Sequence, residues 1–274
     1  MPGVAANATT DRPRVTAALS AVLALSAALA CAIVTANEPV LLLQALLVAP
    51  LQPLLVPSVT HDGHAVVKVP RSVRRSLESA LERSSKLRSF GGPGEAIESP
   101  IVRGRTLRIA LTADAKRVVR EGLRPLVRAY CGGCALASAA QVSAIRVYSP
   151  GASLLEHLDR PDAFLLAVTV RVAVPRRMRR ARRRGLWPLT LRRAGSWGRR
   201  DAPVHHAHQL VGEAVIYEGA GMWHARPTPL GEGAEPFAVC FVGFAPLDLP
   251  RPLLGRAMEA LARVMHGRTH RYNR

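Results

Sequence analysis

The chain has 274 residues, 49% of them hydrophobic, with 38 lysines and arginines against 19 acids and a formal net charge of +19. That length and apolar content exclude a wholly disordered chain and allow one catalytic-sized domain with an N-terminal appendage. Four cysteines exclude a disulfide-dense scaffold, and the excess of arginine predicts either adhesion to polyanions (nucleic acid, acidic glycans, anionic lipid) or a composition bias with no specific partner.

Residues 15–36, VTAALSAVLALSAALACAIVTA, form an uncharged apolar run. A membrane-spanning helix needs about 20 such residues. Arg12 and Arg14 precede the run, and the next basic residue is Lys68, so the positive-inside bias predicts a cytosolic N-terminus and a translocated remainder. The expectation is a single-pass anchor facing the endoplasmic reticulum or Golgi lumen. A cleaved signal or an organelle-targeting sequence is the alternative. Residues 37–63 are apolar too, but Pro39, Pro50, Pro53 and Pro57 interrupt them, which predicts a linker rather than a second span.

Residues 72–90 carry Val73, Leu77, Leu81 and Leu87 at helical spacing. Residues 106–111 alternate like a strand, and Thr112 is placed to cap a helix through Val119, Leu123, Leu126 and Val127. Short β-type runs follow at residues 144–148, 164–174, 189–191, 214–217 and 237–244, separated by Gly and Pro. An amphipathic helix fits residues 253–265. Helices followed by many short strands predict an α+β, mainly β fold, a jelly-roll barrel braced by helices. The organisation expected is a cytosolic segment at 1–14, the anchor or signal at 15–36, the linker at 37–63, a catalytic-type domain at 64–250 and a helix with a basic tail at 251–274.

Cys131 and Cys134 have CxxC spacing with no second pair to complete a zinc site. The preceding helical pattern argues for structural thiols or a local disulfide rather than a redox centre. Residues 171–200 contain no acid, and PRRMRRARRRG is their densest part. The run reads as a solvated loop between strands, with polyanion binding through residues 176–184 as the alternative. No aromatic residue inside that densest stretch is available to stack bases. His205, His206 and His208 read as a surface-loop cluster, and Glu213 as a residue ending a turn.

The candidate chemistry begins at His157 and Asp159. Residues i and i+2 of a strand share a face, so the pair can occupy adjacent corners of a metal. His224, after the strand ending at Tyr217, is the best third ligand. Two histidines and a carboxylate form a facial triad that leaves coordination positions open, which suits iron(II) with a bidentate co-substrate and dioxygen better than a closed zinc site.

RVYSPGASLLEHLDR resembles the segment around the first two iron ligands in prolyl 4-hydroxylase-like 2-oxoglutarate/iron(II) dioxygenases. LWPLTL, GEAVIYEGAGMWHARPTPLGEG and FAVCFVGFAP are similar to later strands of a branch of that superfamily, and VVREGLRPLVRAYCGG to its helix before the barrel. The matches keep their order from residue 98 to residue 246. The resemblance implies a double-stranded β-helix fold, iron(II) held by His157, Asp159 and His224, and 2-oxoglutarate as co-substrate. It also implies dioxygen as oxidant, ascorbate as a candidate accessory reductant, and hydroxylation of a protein (prolyl or other) or small-molecule substrate. Tyr148 matches a family tyrosine near the co-substrate. The family base that grips the distal carboxylate of 2-oxoglutarate is missing, because Gly233, Ala234, Glu235 and Pro236 stand in its neighbourhood. Arg226 is the expected substitute, since a guanidinium can grip a carboxylate bidentately, with Arg192 or Arg193 as fallback. The missing base also leaves open a second reading, a catalytically degenerate relative acting as a basic binding module.

Overall fold

The computed structural model of the chain describes residues 58–84, 101–160, 163–175, 187–193 and 203–248. The anchor or signal segment, the arginine-dense loop and the C-terminal helix expected from the sequence lie outside these. Among the described residues no helix is long and apolar enough to cross a membrane.

The first element is a short edge strand, β1 (His64–Lys68), which the sequence reading missed. Helix α1 (Arg71–Arg83) follows and buries Val73, Leu77 and Leu81 on one stripe, as their spacing predicts. It ends at Ser84, earlier than the periodicity implied. Strands β2 (Val102–Arg103) and β3 (Thr106–Ile109) lead to helix α2 (Ala113–Tyr130). Thr112 caps α2 as expected: its Oγ1 accepts the Ala115 N–H at 3.2 Å, satisfying a donor that the first helical turn would otherwise orphan. At the other end Cys131 and Cys134 are joined in a disulfide.

Eight further strands follow among the described residues. They are β4 (Gln141–Tyr148), β5 (Ser153–His157), β6 (Leu166–Val172), β7 (Leu189–Arg193), β8 (His205–Ala207), β9 (Glu213–Tyr217), β10 (Met222–Arg226) and β11 (Phe237–Phe244). They pair antiparallel in two sheets, in the orders β1-β9-β6-β11-β4-β3 and β2-β5-β10-β7-β8. Successive strands thus alternate between the sheets from β4 to β7 and again from β9 to β11, the winding expected of a jelly roll. One expectation is corrected at this level: His205 and His206 belong to strand β8 rather than to a loop. Glu213 ends a turn as expected, its N–H donating to the Leu210 carbonyl at 3.0 Å and its Oε2 accepting the Leu210 N–H at 2.8 Å, and it opens β9.

The larger sheet is covered on both faces, and β6 is buried at every residue. One core joins the helices to its outer face: Val119, Leu123 and Val127 of α2 and Leu77 and Leu81 of α1 pack with Val168, Val170, Cys240 and Val242. A second core fills the space between the sheets, with Tyr148, Tyr217, Leu189, Leu191, Met222 and Phe237. Because side chains alternate along a strand, the residues of β6 left facing that inner space are Ala167, Thr169 and Arg171. The inner space holds the candidate site.

Candidate metal centre

His157 closes β5 and His224 sits in the middle of β10. The two are direct partners across the strand pair, and the register slips on the far side, where Arg226 pairs with Leu154. Two residues of β10 therefore span three of β5. This bulge turns both Leu154 and His157 toward the inner space. Asp159 reaches the site differently from the strand alternation expected. β5 has already ended, and Asp159 is held by its own N–H donating to the Gly219 carbonyl at 2.9 Å.

The three side chains converge. Their ligand atoms all lie within 4.8 Å of one another, with His157 Nε2 3.9 Å from Asp159 Oδ1 and His224 Nε2 3.5 Å from Asp159 Oδ2. Each imidazole is oriented from behind. Nδ1 of His157 is 2.8 Å from the Leu155 carbonyl, and Nδ1 of His224 is 3.0 Å from the Met222 carbonyl. A carbonyl only accepts, so both Nδ1 atoms carry the proton and both Nε2 lone pairs face Asp159. Burial, reinforced for His157 by its neighbour His224, pushes the imidazoles down to about 3 for His157 and about 4 for His224. Both are neutral at physiological pH. Burial raises the Asp159 carboxyl, and a divalent cation would supply the charge that holds it ionised. A neutral, tautomer-fixed His pair beside one carboxylate fits a divalent transition metal with open positions.

Tyr217 completes the group and was not singled out from the sequence. Its hydroxyl donates to Asp159 Oδ2 at 3.3 Å, and its ring lies 4.8 Å from that of His224. Two glycines make room. A Cβ on Gly219 would stand 2.6 Å from Asp159 Oδ2, and one on Gly243 would collide with the Ala163 carbonyl and the Phe164 ring.

The inner space beyond the triad is polar and incompletely satisfied. Thr106 Oγ1, Tyr148 Oη, Thr169 Oγ1 and Arg226 Nη1 are buried without a hydrogen-bond partner. Thr106 and Tyr148 are cross-strand partners on β3 and β4, and Arg226 lies two residues past His224 on the same face of β10. Arg226 is 2% exposed. Its Nη2 donates to Gln209 Oε1 at 3.4 Å, and the guanidinium carbon is 4.5 Å from the Phe237 ring centre. Burial pushes it down to about 9. Arg171, which the sequence reading passed over, has its guanidinium carbon 3.6 Å from the centre of the same Phe237 ring and pairs with Glu235 at 3.5 Å. Thus the acid standing where the resemblance implied a base is neutralised by Arg171. A lone charge in the otherwise uncharged LAVTVRV was the available signal for it.

The fallback cations are spoken for. Arg192 is bound to both oxygens of Glu156 at 2.8 Å. Arg193 pairs with the buried Glu218 at 3.2 Å and donates to Ser58 Oγ and to the carbonyls of Thr60 and His61. Glu218 Oε1 in turn accepts the N–H groups of Val59 and Thr60. His205 stacks near His64, with ring centres 4.9 Å apart, and none of the three histidines of the 205–208 segment joins the triad.

Two cavities flank these groups. A small one of about 130 Å³ contains the triad and is bordered by Ile101, Phe164, Phe241, Ser143 and Arg146. A larger one of about 510 Å³ is bordered by Trp187, Thr190, His206, Arg226 and the turn over residues 227–234. The larger does not include the triad, so the chemistry is assigned to the smaller.

The chain is similar to solved prolyl 4-hydroxylases and other 2-oxoglutarate/iron(II) oxygenases. A prolyl-4-hydroxylase from Pseudomonas putida aligns at 15% identity and a TM-score of 0.44, over 68% of this chain and 93% of that one. A prolyl hydroxylase from Trichoplax adhaerens, solved with a hypoxia inducible factor oxygen degradation domain peptide, aligns at 11% and 0.45, over 78% and 93%. The viral collagen prolyl hydroxylase of Paramecium Bursaria Chlorella virus-1, solved with 2OG, aligns at 12% and 0.40, over 67% and 96%. No family model matches the chain, and no curated protein does.

Proposed function

We propose that this chain is an iron(II)/2-oxoglutarate-dependent dioxygenase that hydroxylates a protein or small-molecule substrate. The observation that carries the reading is the convergence of His157, Asp159 and His224 with both Nε2 lone pairs aimed at one point. Bound together, iron(II), 2-oxoglutarate and dioxygen supply oxidative decarboxylation to succinate and insertion of a hydroxyl into a C–H bond. The chain's part is to fix three ligands, leave the remaining metal face open and shield it from bulk water. Tyr217 holds the Asp159 carboxylate in place, and Phe164 and Phe241 form apolar walls to the cavity.

The distal carboxylate of 2-oxoglutarate is assigned to Arg226, with Tyr148 donating beside it. The support is the unpartnered Nη1 and Oη of these two buried residues. A buried unsatisfied polar atom costs about 1–3 kcal/mol, and a carboxylate accepting from both would remove that cost. For the compartment, the proposal remains a lumenal domain behind an N-terminal anchor. The Cys131–Cys134 disulfide supports an oxidising environment.

The test is anaerobic titration of the metal-free chain with iron(II) and then 2-oxoglutarate, followed by succinate release on admitting air. Saturable metal uptake that is lost in His157→Ala and Asp159→Ala, and 2-oxoglutarate uptake lost in Arg226→Met, are expected. Metal uptake that survives both triad substitutions sinks the assignment.

A further inference from the structure

The cavity that holds the triad carries a cation with no assigned task. Arg146, half-buried on β4, borders it together with Ser143. Among the described residues no carboxylate pairs with Arg146. Its guanidinium carbon lies 5.9 Å from the centre of the Phe241 ring. The placement follows from an irregularity in β4. Cys240 and Val242 of β11 pair with Ile145 and Val142, so β4 holds one extra residue there. Strict alternation would put Ser143 and Arg146 on opposite faces, and the bulge brings both to the cavity.

A second arginine raises the local charge. Arg108 of β3 stands directly opposite Arg146 in the antiparallel pair, and directly opposed residues share a face. Like charges in that position destabilise a sheet by a fraction of a kcal/mol, roughly 0.2–1. Among the described residues neither arginine forms an ion pair with an acid, the carboxylate of the same cavity being that of Asp159 in the triad. An anion bound at that point would relieve the repulsion, and the walls beside it are Ile101, Phe164 and Phe241.

We infer that Arg146, seconded by Arg108 and Ser143, recognises a carboxylate on the substrate, so that the molecule presented to the metal is an acid with an apolar body. This rests on the dioxygenase reading, in which the co-substrate's own distal carboxylate is taken by Arg226. The same chemistry could come from either molecule, and the experiment separates them.

The full chain is loaded anaerobically with manganese(II), saturated with 2-oxoglutarate and titrated calorimetrically with hexanoate and with its neutral counterpart hexanamide. Hexanoate is expected to bind at least tenfold more tightly than hexanamide. Arg146→Met brings the two within twofold, Arg146→Lys retains part of the preference, and Arg108→Met weakens it less than Arg146→Met does. Uptake of 2-oxoglutarate by Arg146→Met stays within twofold of the parent chain and serves, with its melting curve, as the check on folding. Equal binding of the acid and the amide overturns the inference, as does a preference that survives Arg146→Met. Hexanoate displacing 2-oxoglutarate, rather than binding beside it, assigns Arg146 to the co-substrate and overturns the substrate claim. If the metal-loaded chain takes up no 2-oxoglutarate, the dioxygenase reading fails. The comparison of acid with amide, made without 2-oxoglutarate, then still decides what Arg146 binds.

Discussion

The Tyr217 hydroxyl donates to Asp159 Oδ2 at 3.3 Å, the same oxygen that faces His224 Nε2 at 3.5 Å. Tyr217 therefore sets the rotation of the one carboxylate in the site. Partners behind a metal ligand typically contribute 10–100-fold to metal affinity. Tyr217→Phe keeps the ring and removes the donor, so manganese(II) or iron(II) affinity is expected to fall about tenfold with little change in melting temperature. Unchanged affinity, measured by competition with a chelator, would refute the role given to Tyr217.

Gly219→Ala tests the same carboxylate from the other side. The added Cβ would stand 2.6 Å from Asp159 Oδ2 and from the Phe164 carbonyl oxygen, so the carboxylate or the 163–164 turn must move. A loss of metal affinity larger than that of Tyr217→Phe is expected, with a stability cost of about 1–3 kcal/mol for overpacking. Gly243→Ala, which meets the Phe164 ring and not Asp159, is expected to destabilise the fold while leaving metal affinity closer to that of the parent chain.

Stability of the metal-free chain is expected to fall as pH drops. His157 and His224 titrate at about 3 and about 4 when folded, against 6.5 when exposed, chiefly because they are buried. Below 6.5 the unfolded chain gains protons that the folded chain refuses until about 4, so stability is lost between those values. Asp159 acts in the opposite sense, since its raised carboxyl keeps a proton in the folded state above 3.8. Melting temperatures at pH 7 and pH 5 should differ in the parent chain, and differ at least as much in Asp159→Asn, where the opposing group is gone. A flat profile in both would show that the imidazoles are not held neutral by burial.

Reduction of the Cys131–Cys134 bridge is expected to cost about 2 kcal/mol, the loop-closure value for so short a loop. The bridge follows α2 directly, and Gly132 and Gly133 inside it both have positive φ, so the loss should appear as fraying of the last turn of α2. Chemical denaturation with and without reductant measures it, and equal midpoints would show that the bridge contributes nothing.

Much of this arrangement was legible in the sequence. Val73, Leu77 and Leu81 announce α1 by spacing alone, and Thr112 announces the start of α2 by its capping chemistry. His157, Asp159 and His224 were legible as a set, but their geometry was not. Alternation along a strand was expected to bring His157 and Asp159 together, whereas a bulge turns His157 inward and a loop contact with Gly219 delivers Asp159. Bulges depend on the register of two strands distant in sequence, which no local pattern encodes. For the same reason Arg146 went unnoticed, because alternation offers no hint that Ser143 and Arg146 border one cavity. Strand β8 has three residues, two of them histidine, and β1 is an edge strand with no fully buried residue, so neither stands out from turns. Arg192 and Arg193 are excluded as co-substrate cations only by their carboxylate partners, Glu156 on β5 and Glu218 just past β9, which lie far from them in sequence.

The clasp formed by Arg193 and Glu218 over residues 58–61 has a mechanical consequence. Glu218 is covalently next to Tyr217, and the segment it grips continues into β1, which pairs along the full length of β9. Residues 58–61 are therefore coupled in series to the strand that aims the Asp159 carboxylate. A displacement of that segment meets the ion pair and the β1–β9 ladder first, and not the bond between tyrosine and aspartate. The triad can keep its aim while the segment leading into β1 shifts.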